Sequence, residues 1–299
     1  MITLLVNPTA GSGRAKKVVI SVIERLKELD LPHRIWETTA PGEAKVLAEK
    51  AALEHEETPN AEDMLLSIGG DGTFLEVVQG ALGHDLPVAS LPAGTGNDFL
   101  KSLKVPADPM AALEHILNAT VRKIDIGKIN QMLFANECGA GFDVAVLDYA
   151  NQYKKVLHGL APYLIGVIRS IFSYRSAPMA IFADGKEVYS GDCLVFSVAN
   201  GAYIGGGIHI SPEADVQSGK LQLIIVKACS RLQMVRYLPG LMKGKILQFK
   251  DTVVHCRANR VQVKPLQSDQ SFRVNIDGEI CDMSDCDFSI LPRSLSVHM

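Results

Sequence analysis

Met64-Leu65-Leu66-Ser67-Ile68 runs directly into Gly69-Gly70-Asp71-Gly72-Thr73 and then into Phe74–Leu82. The first stretch has the length and apolarity of a buried strand, and the last reads as a helix. Between them lies a turn of small residues at the carboxyl end of the strand. Such a turn lets the backbone approach a ligand closely and points N–H groups at it. One turn of this kind is more often structural than functional, so its neighbours decide the reading.

The same unit recurs on both sides. Upstream, Ile2–Val6 reads as a strand, followed by Asn7-Pro8-Thr9-Ala10-Gly11-Ser12-Gly13 and a helix over Ala15–Leu29. Arg34–Trp36 and Glu43–Glu56 add a strand and a helix. Downstream, the strand Pro87–Leu91 feeds Pro92-Ala93-Gly94-Thr95-Gly96-Asn97-Asp98-Phe99. This βα alternation predicts a Rossmann-like parallel α/β domain over residues 1–122, with all three turns at strand carboxyl ends, where ligands bind such sheets.

Beyond residue 122 the rhythm changes to strands: Lys123–Ile129, Met132–Glu137, Met179–Ala183, Glu187–Tyr189, Leu194–Ala199, Leu221–Lys227, Thr252–Cys256 and Arg273–Ile276. This predicts a mostly antiparallel β-sandwich domain over 123–291, interrupted by helical insertions near Val144–Arg175 and Leu232–Leu247. A length of 299 residues suits two domains.

Composition excludes several classes. Apolar residues make up 47% and charged ones 21%, the balance of a folded chain rather than a disordered one. A net charge of −3 argues against a nucleic-acid partner, which needs a cationic face. Six cysteines, with no C-x-x-C pair and no basic leader before them, predict free thiols and a cytoplasmic location. The longest apolar stretch, Leu160–Ile168, is too short to span a bilayer.

Charge is nevertheless segregated. Residues 149–183 hold four bases (Lys154, Lys155, Arg169, Arg175) and no acid, and residues 216–250 hold seven bases and no acid. Tyr149, Tyr153, Tyr163, Phe172, Tyr174 and Tyr237 are interleaved with them. The mix suits the anionic inner face of a membrane, and equally a solvated helix face beside a core stripe.

The phosphate chemistry narrows by exclusion. No Gly-Lys pair has the spacing of G-x-x-x-x-G-K-[ST], and neither Gly11-Ser12-Gly13 nor Gly94-Thr95-Gly96 completes G-x-G-x-x-G. A carboxylate at Asp71 would repel phosphate unless a cation mediates, which points to Mg²⁺ with a nucleotide.

Taken in order, Asn7-Pro8, Gly69-Gly70-Asp71-Gly72-Thr73, Gly94-Thr95-Gly96-Asn97-Asp98-Phe99, Asp125-Ile126-Gly127, Asn200-Gly201-Ala202-Tyr203-Ile204-Gly205-Gly206-Gly207 and Asp277-Gly278-Glu279 resemble the soluble bacterial diacylglycerol kinase family of lipid kinases. The likeness runs from about Ile2 to Leu291. Gly69–Thr73 alone is shared with NAD kinases and fixes only the superfamily. The resemblance implies an ATP- and Mg²⁺-dependent kinase with ATP between the two domains, and a lipid acceptor, diacylglycerol by default, met at the membrane surface through 149–183 and 216–250. It implies that residues 294–299 pack back on the first domain. It also implies nucleotide contacts at Asn7, Pro8, Thr9, Ala10, Gly11, Thr38, Gly70, Asp71, Gly72, Thr73, Phe74, Leu75, Glu76, Thr95 and Asn97.

Asp71 would orient the metal. Glu279 matches the family's proton acceptor, and Asp277 stands as its rival. The family's Asp-Asp-Gly metal segment is Gln217-Ser218-Gly219 here, which leaves Asp215 as the compensating ligand. The readings set against a lipid kinase are a kinase for a soluble acceptor such as NAD, and a catalytically idle nucleotide- or lipid-binding protein. Both Asp71 and Glu279 are present, so the mark of an idle protein is missing.

Overall fold

The computed structural model describes residues 1–153, 157, 161–267 and 271–299. The chain divides into two units, Met1–Ile126 with Pro292–Met299, and Gly127–Leu291.

The first unit is a parallel sheet with helices. Its elements are β1 (Ile2–Val6), α1 (Ala10–Glu28), β2 (His33–Glu37), α2 (Glu43–Glu57), β3 (Met64–Gly69), α3 (Asp71–Ala81), β4 (Val88–Pro92), α4 (Asp98–Ser102) and α5 (Pro109–Asn118). The strands run parallel in the order β4-β3-β1-β2. β1, β3 and β4 are buried along their whole length, as expected of parallel strands covered on both faces. Phe74 of α3 stacks on Phe99 of α4 at 5.4 Å, fixing the helix that follows the central turn. Gly11, Ser12 and Gly13 all have left-handed backbones, so the first turn of α1 is a loop and the helix proper starts at Arg14.

The second unit begins within β5 (Val121–Ile129) and continues through β6 (Met132–Phe134), β7 (Glu137–Gly141), α6 (Phe142–Tyr153), α7 (Ala161–Ser173), β8 (Ala177–Ala183), β9 (Lys186–Ala199), β10 (Leu221–Lys227), α8 (Arg231–Met242), β11 (Val253–Ala258), β12 (Arg260–Pro265), β13 (Phe272–Ile276), β14 (Glu279–Met283) and β15 (Cys286–His298). β9 organises it. Residues 186–193 of β9 pair with β8, while 195–199 pair with β7 on one side and β10 on the other. One long strand thus serves two groups of partners, and Phe196 packs edge-on against Phe272 and Phe288 in the core between them. Val297 in the last part of β15 pairs with Val88 of β4, within the first unit.

The expected elements are corrected in four places. Met132–Glu137 is two strands, broken at Ala135-Asn136 because those amides turn away to a side chain described below. Glu187–Tyr189 and Leu194–Ala199 are one strand. The first insertion is two helices, and the second is α8 plus a short turn at Ile246–Gln248. β12, β14 and β15 were not read from the sequence. Lys154, Lys155 and Leu160 lie outside the described residues. All six cysteines are free, and burial pushes the thiols of Cys193 and Cys286 up to about 12, which keeps them inert. No helix among the described residues is long and apolar enough to cross a membrane.

Candidate active site

In the first unit the three glycine turns lie at the carboxyl ends of β1, β3 and β4 and are knitted together by close backbone packing. The amides of Ala93 and Gly94 both donate to the Gly69 carbonyl at 2.9 Å. A Cβ on Gly94 would sit 2.4 Å from the Gly70 Cα, and one on Gly11 would sit 2.2 Å from the Ala93 carbonyl oxygen. Glycine is therefore required where the turns touch. Asn7 Nδ2 donates to Thr73 Oγ1 at 3.0 Å, while its Oδ1 accepts from the Thr9 amide and hydroxyl, so one side chain links the first two turns. Asn97, itself left-handed, closes the third turn by bonding both the amide and the carbonyl of Gly94 at 3.0 Å.

Asp71 and Asp98 are the acids of this cluster. Asp71 Oδ1 accepts from the Phe99 amide at 3.1 Å. The Oδ2 atoms of Asp71 and Asp98 lie 3.1 and 3.3 Å from where a Gly96 Cβ would be, so both carboxylates converge on one small residue. Lys101, which the sequence reading did not single out, bonds Asp98 at 2.6 Å and the Gly96 carbonyl at 3.1 Å. Burial, and next the charge of Asp98, raises the Asp71 carboxyl above its ordinary value. The two carboxylates are oxygen donors of the kind a hard cation takes, and Asp98 is already paired with Lys101.

Other expected nucleotide residues fall into place unevenly. Pro8, Thr9, Ala10, Gly11, Gly70, Gly72 and Thr95 belong to the turns themselves. Thr38 is buried, its amide donating to the Val6 carbonyl at 2.9 Å. Three side chains serve the fold instead: Phe74 and Leu75 are core, and both oxygens of Glu76 accept amides of Gly42 and Ala44 at the start of α2. Asp215, the other expected metal ligand, lies in a local turn. Its Oδ1 accepts the Gln217 amide, and no cluster of three metal-binding side chains occurs among the described residues.

In the second unit, Asp277-Gly278 is a two-residue hairpin turn between β13 and β14, both residues having positive φ. Asp277 is heavily engaged: its carboxylate accepts the consecutive amides of Ala135 (2.6 Å), Asn136 (3.0 Å) and Glu137 (2.8 Å). This is the pull that breaks the expected strand at Ala135-Asn136. Glu279, at the first position of β14, is exposed. Of the two rivals, Glu279 is the exposed carboxylate and Asp277 the one that holds the turn.

The Asn200–Gly207 segment braces the same region. Asn200 Nδ2 donates to the Ala135 carbonyl at 2.8 Å, and Asn136 Nδ2 donates to that of Tyr203 at 2.7 Å. Ile204 and Gly205 from this segment form part of the wall of a cavity of about 160 Å³, roughly ten times what one water needs. Side chains from α6, α7, α8, β9, β10, β11, β13 and the loops between them complete it, nearly all aliphatic or aromatic. Among the described residues lining it, Asp143 is the only acid and Asn275 the only amide. Neither was singled out from the sequence; only tertiary packing brings them together.

Similarity to known proteins agrees with this architecture. Residues 1–129 match the diacylglycerol kinase catalytic domain, and residues 136–299 match the YegS C-terminal NAD kinase beta sandwich-like domain. The chain is 29% identical over 300 residues to the diacylglycerol kinase of Bacillus subtilis, covering 99% of this chain and 95% of that protein. It is 32% identical to a Pseudomonas aeruginosa protein named "Probable lipid kinase YegS-like", covering 97% and 91%. A solved diacylglycerol kinase from Bacillus anthracis shares the fold with a TM-score of 0.75 at 22% identity, covering 99% of this chain and 96% of that one. The family models and relatives define a phosphotransferase, and the chain belongs to the diacylglycerol kinase and YegS-like lipid kinase family.

Proposed function

We propose that this chain is an ATP- and Mg²⁺-dependent lipid kinase that transfers the γ-phosphoryl group to a hydroxyl of a membrane-derived lipid, with diacylglycerol, giving phosphatidic acid, as the default acceptor. The observation that carries the acceptor class is the apolar cavity in the unit that also bears Glu279. Acyl chains fill such a lining favourably, at roughly 0.8 kcal/mol per buried CH₂, whereas a polar dinucleotide such as NAD would leave its hydrogen-bonding groups unmatched there. The names of the relatives point the same way.

Phosphoryl transfer asks the protein for placement, charge neutralisation and a proton acceptor. The amides of the three turns would bind the phosphates, with Asn7, Thr73 and Asn97 holding the turns in register. Asp71 and Asp98 would hold Mg²⁺, which when bound neutralises the developing charge on the phosphoryl oxygens. Glu279 would take the hydroxyl proton, and Asp277 would position it by fixing the turn.

The insertions would meet the membrane, on the cytoplasmic face. Ile168 and Phe172 of α7 are 57% and 62% exposed, and Leu232 and Val235 of α8 are 79% and 50% exposed. Arg169, Arg231, Arg236, Lys243 and Lys245 stand among or just beyond them, and Val167, Met234 and Leu238 of the same helices line the cavity. An anionic bilayer supplies the complementary charge and the lipid together. The test is γ-phosphate transfer from Mg·ATP to diacylglycerol in anionic vesicles, with NAD and sphingosine as competing acceptors. Phosphorylated lipid as the sole product supports the reading, and phosphorylated NAD alone overturns it.

A further inference from the structure

Glu137 begins β7 and Asp143 opens α6, and the two side chains converge on Gly139 between them. Glu137 Oε1 and Asp143 Oδ2 each lie 2.7 Å from where a Gly139 Cβ would be, so only glycine leaves room for both carboxyls. Glu137 is 3% exposed. Among the described residues, the groups facing Asp143 are Cys138 of β7, Cys193 of β9, Tyr174 beyond α7, Asn275 of β13 and Glu137, with Asp277, Cys138 and Ser197 facing Glu137. No lysine or arginine is among them. Two adjacent acids without a cation cannot both be ionised out of water. Burial accordingly pushes Glu137 well above the carboxylate range, and raises Asp143 to about 7.

The pair is also connected to the chemistry. Asn275 donates from Nδ2 to Asp143 Oδ2 at 3.4 Å and accepts the Gly278 amide on its Oδ1 at 2.8 Å, so one amide joins Asp143 to the turn that carries Glu279. Asp143 lines the cavity, and its buried Oδ1 has no hydrogen-bond partner among the described residues. An unpaired buried carboxyl oxygen at the single acidic point of an apolar cavity lacks a ligand.

We propose that Glu137 and Asp143 form a proton-sharing pair that grips the polar head of the acceptor at this end of the cavity, Asp143 touching an uncharged oxygen of the lipid and Glu137 acting through Asp143 as a positioning residue. The inference rests on the lipid-kinase reading and assigns the end of the cavity at which the acceptor's head lies. In its neutral form Asp143 donates a hydrogen bond to an ester carbonyl or to the hydroxyl that is not phosphorylated. Once that proton leaves, the donor is lost and a buried anion faces the lipid instead.

The experiment uses the full chain with dioctanoylglycerol, measured both as calorimetric binding without ATP and as KM in the transfer assay, between about pH 6 and about pH 8. The lipid Kd and KM of the unaltered protein should rise across this range while KM for ATP stays level. Asp143→Asn keeps a donor at every pH, so its lipid KM should be flat. Asp143→Leu should raise lipid KM about tenfold or more at low pH, and Glu137→Leu, which removes the proton shared with the Asp143 anion, should move the rise to higher pH. An Asp143→Asn protein with the unaltered pH profile, or Asp143→Leu with unaltered lipid KM, would overturn the pair. Lipid that binds with this pH profile yet is never phosphorylated supports the pair and overturns the kinase reading. Lipid phosphorylated with a KM indifferent to all three substitutions does the reverse.

Discussion

Asp277 and Glu137 are locked together in both directions: the Glu137 amide donates to the Asp277 carboxylate Oδ1 at 2.8 Å, and the Asp277 amide donates to the Glu137 carbonyl at 3.0 Å. The hairpin that presents Glu279 is thereby fastened to the strand that supplies the buried acid pair. A carboxylate holding three amides restrains backbone that would otherwise be unpaired, and this separates the roles of the two acids in Asp277-Gly278-Glu279.

Glu279→Gln should therefore lower kcat by roughly 10²–10⁴-fold, the usual worth of a general base, with no change in Tm because the side chain is exposed. Asp277→Asn should lower Tm, since an amide group would turn a donor toward backbone donors, at a cost of about 1–3 kcal/mol. Calorimetry beside the transfer assay distinguishes them. A normal Tm with lost turnover in Asp277→Asn would make Asp277 the base instead.

Asp71→Ala should abolish transfer while the protein keeps its fold. The side chain faces Asp98 across Gly96 and takes the amides of Phe99 and Asp98, so its removal relieves repulsion and leaves those amides to water. Near-normal turnover in this variant would remove Asp71 from the metal's donor set.

The Asp143 carboxyl gives stability a pH dependence of definite sign. Its folded value of about 7 lies above the ordinary 3.8, so the folded chain holds the proton longer than the unfolded one. Its contribution is fullest below about pH 4, falls as pH rises toward about 7, and is level beyond. Asp143→Asn should then raise Tm at about pH 8 by at least ~2 °C, and far less at about pH 4. Scanning calorimetry at the two pH values checks this; equal changes at both would contradict the raised value.

The membrane face should be separable from catalysis. Replacing Arg231 and Arg236 by Glu should cut sedimentation with anionic vesicles at least ~10-fold, given about 1 kcal/mol per base near such a surface. Binding of the unaltered protein should weaken with salt. Unchanged vesicle binding by the double variant would move the docking face elsewhere.

What the sequence disclosed, and what it hid, follows from the range of the interactions. The glycine turns were legible because each is fixed by its own few residues beside an apolar strand. The engagement of Glu76 was hidden because its partners, the amides of Gly42 and Ala44, lie 34 and 32 residues away. The break at Ala135-Asn136 is imposed by Asp277 from 142 and 141 residues away, and local alternation carries no trace of it. Glu137 and Asp143 looked like unrelated acids, since their meeting depends on the absence of a side chain at Gly139. Asp277-Gly278-Glu279 read, through the resemblance, as the catalytic segment; Asp277-Gly278 is structurally a hairpin turn, and it carries Glu279 at its exit.

The central claim is tested most directly by following radiolabelled γ-phosphate from Mg·ATP in the presence of diacylglycerol vesicles. Label entering a chloroform-soluble product, at a rate abolished by Glu279→Gln, is the predicted result. Tight ATP binding with no label in any lipid would contradict it.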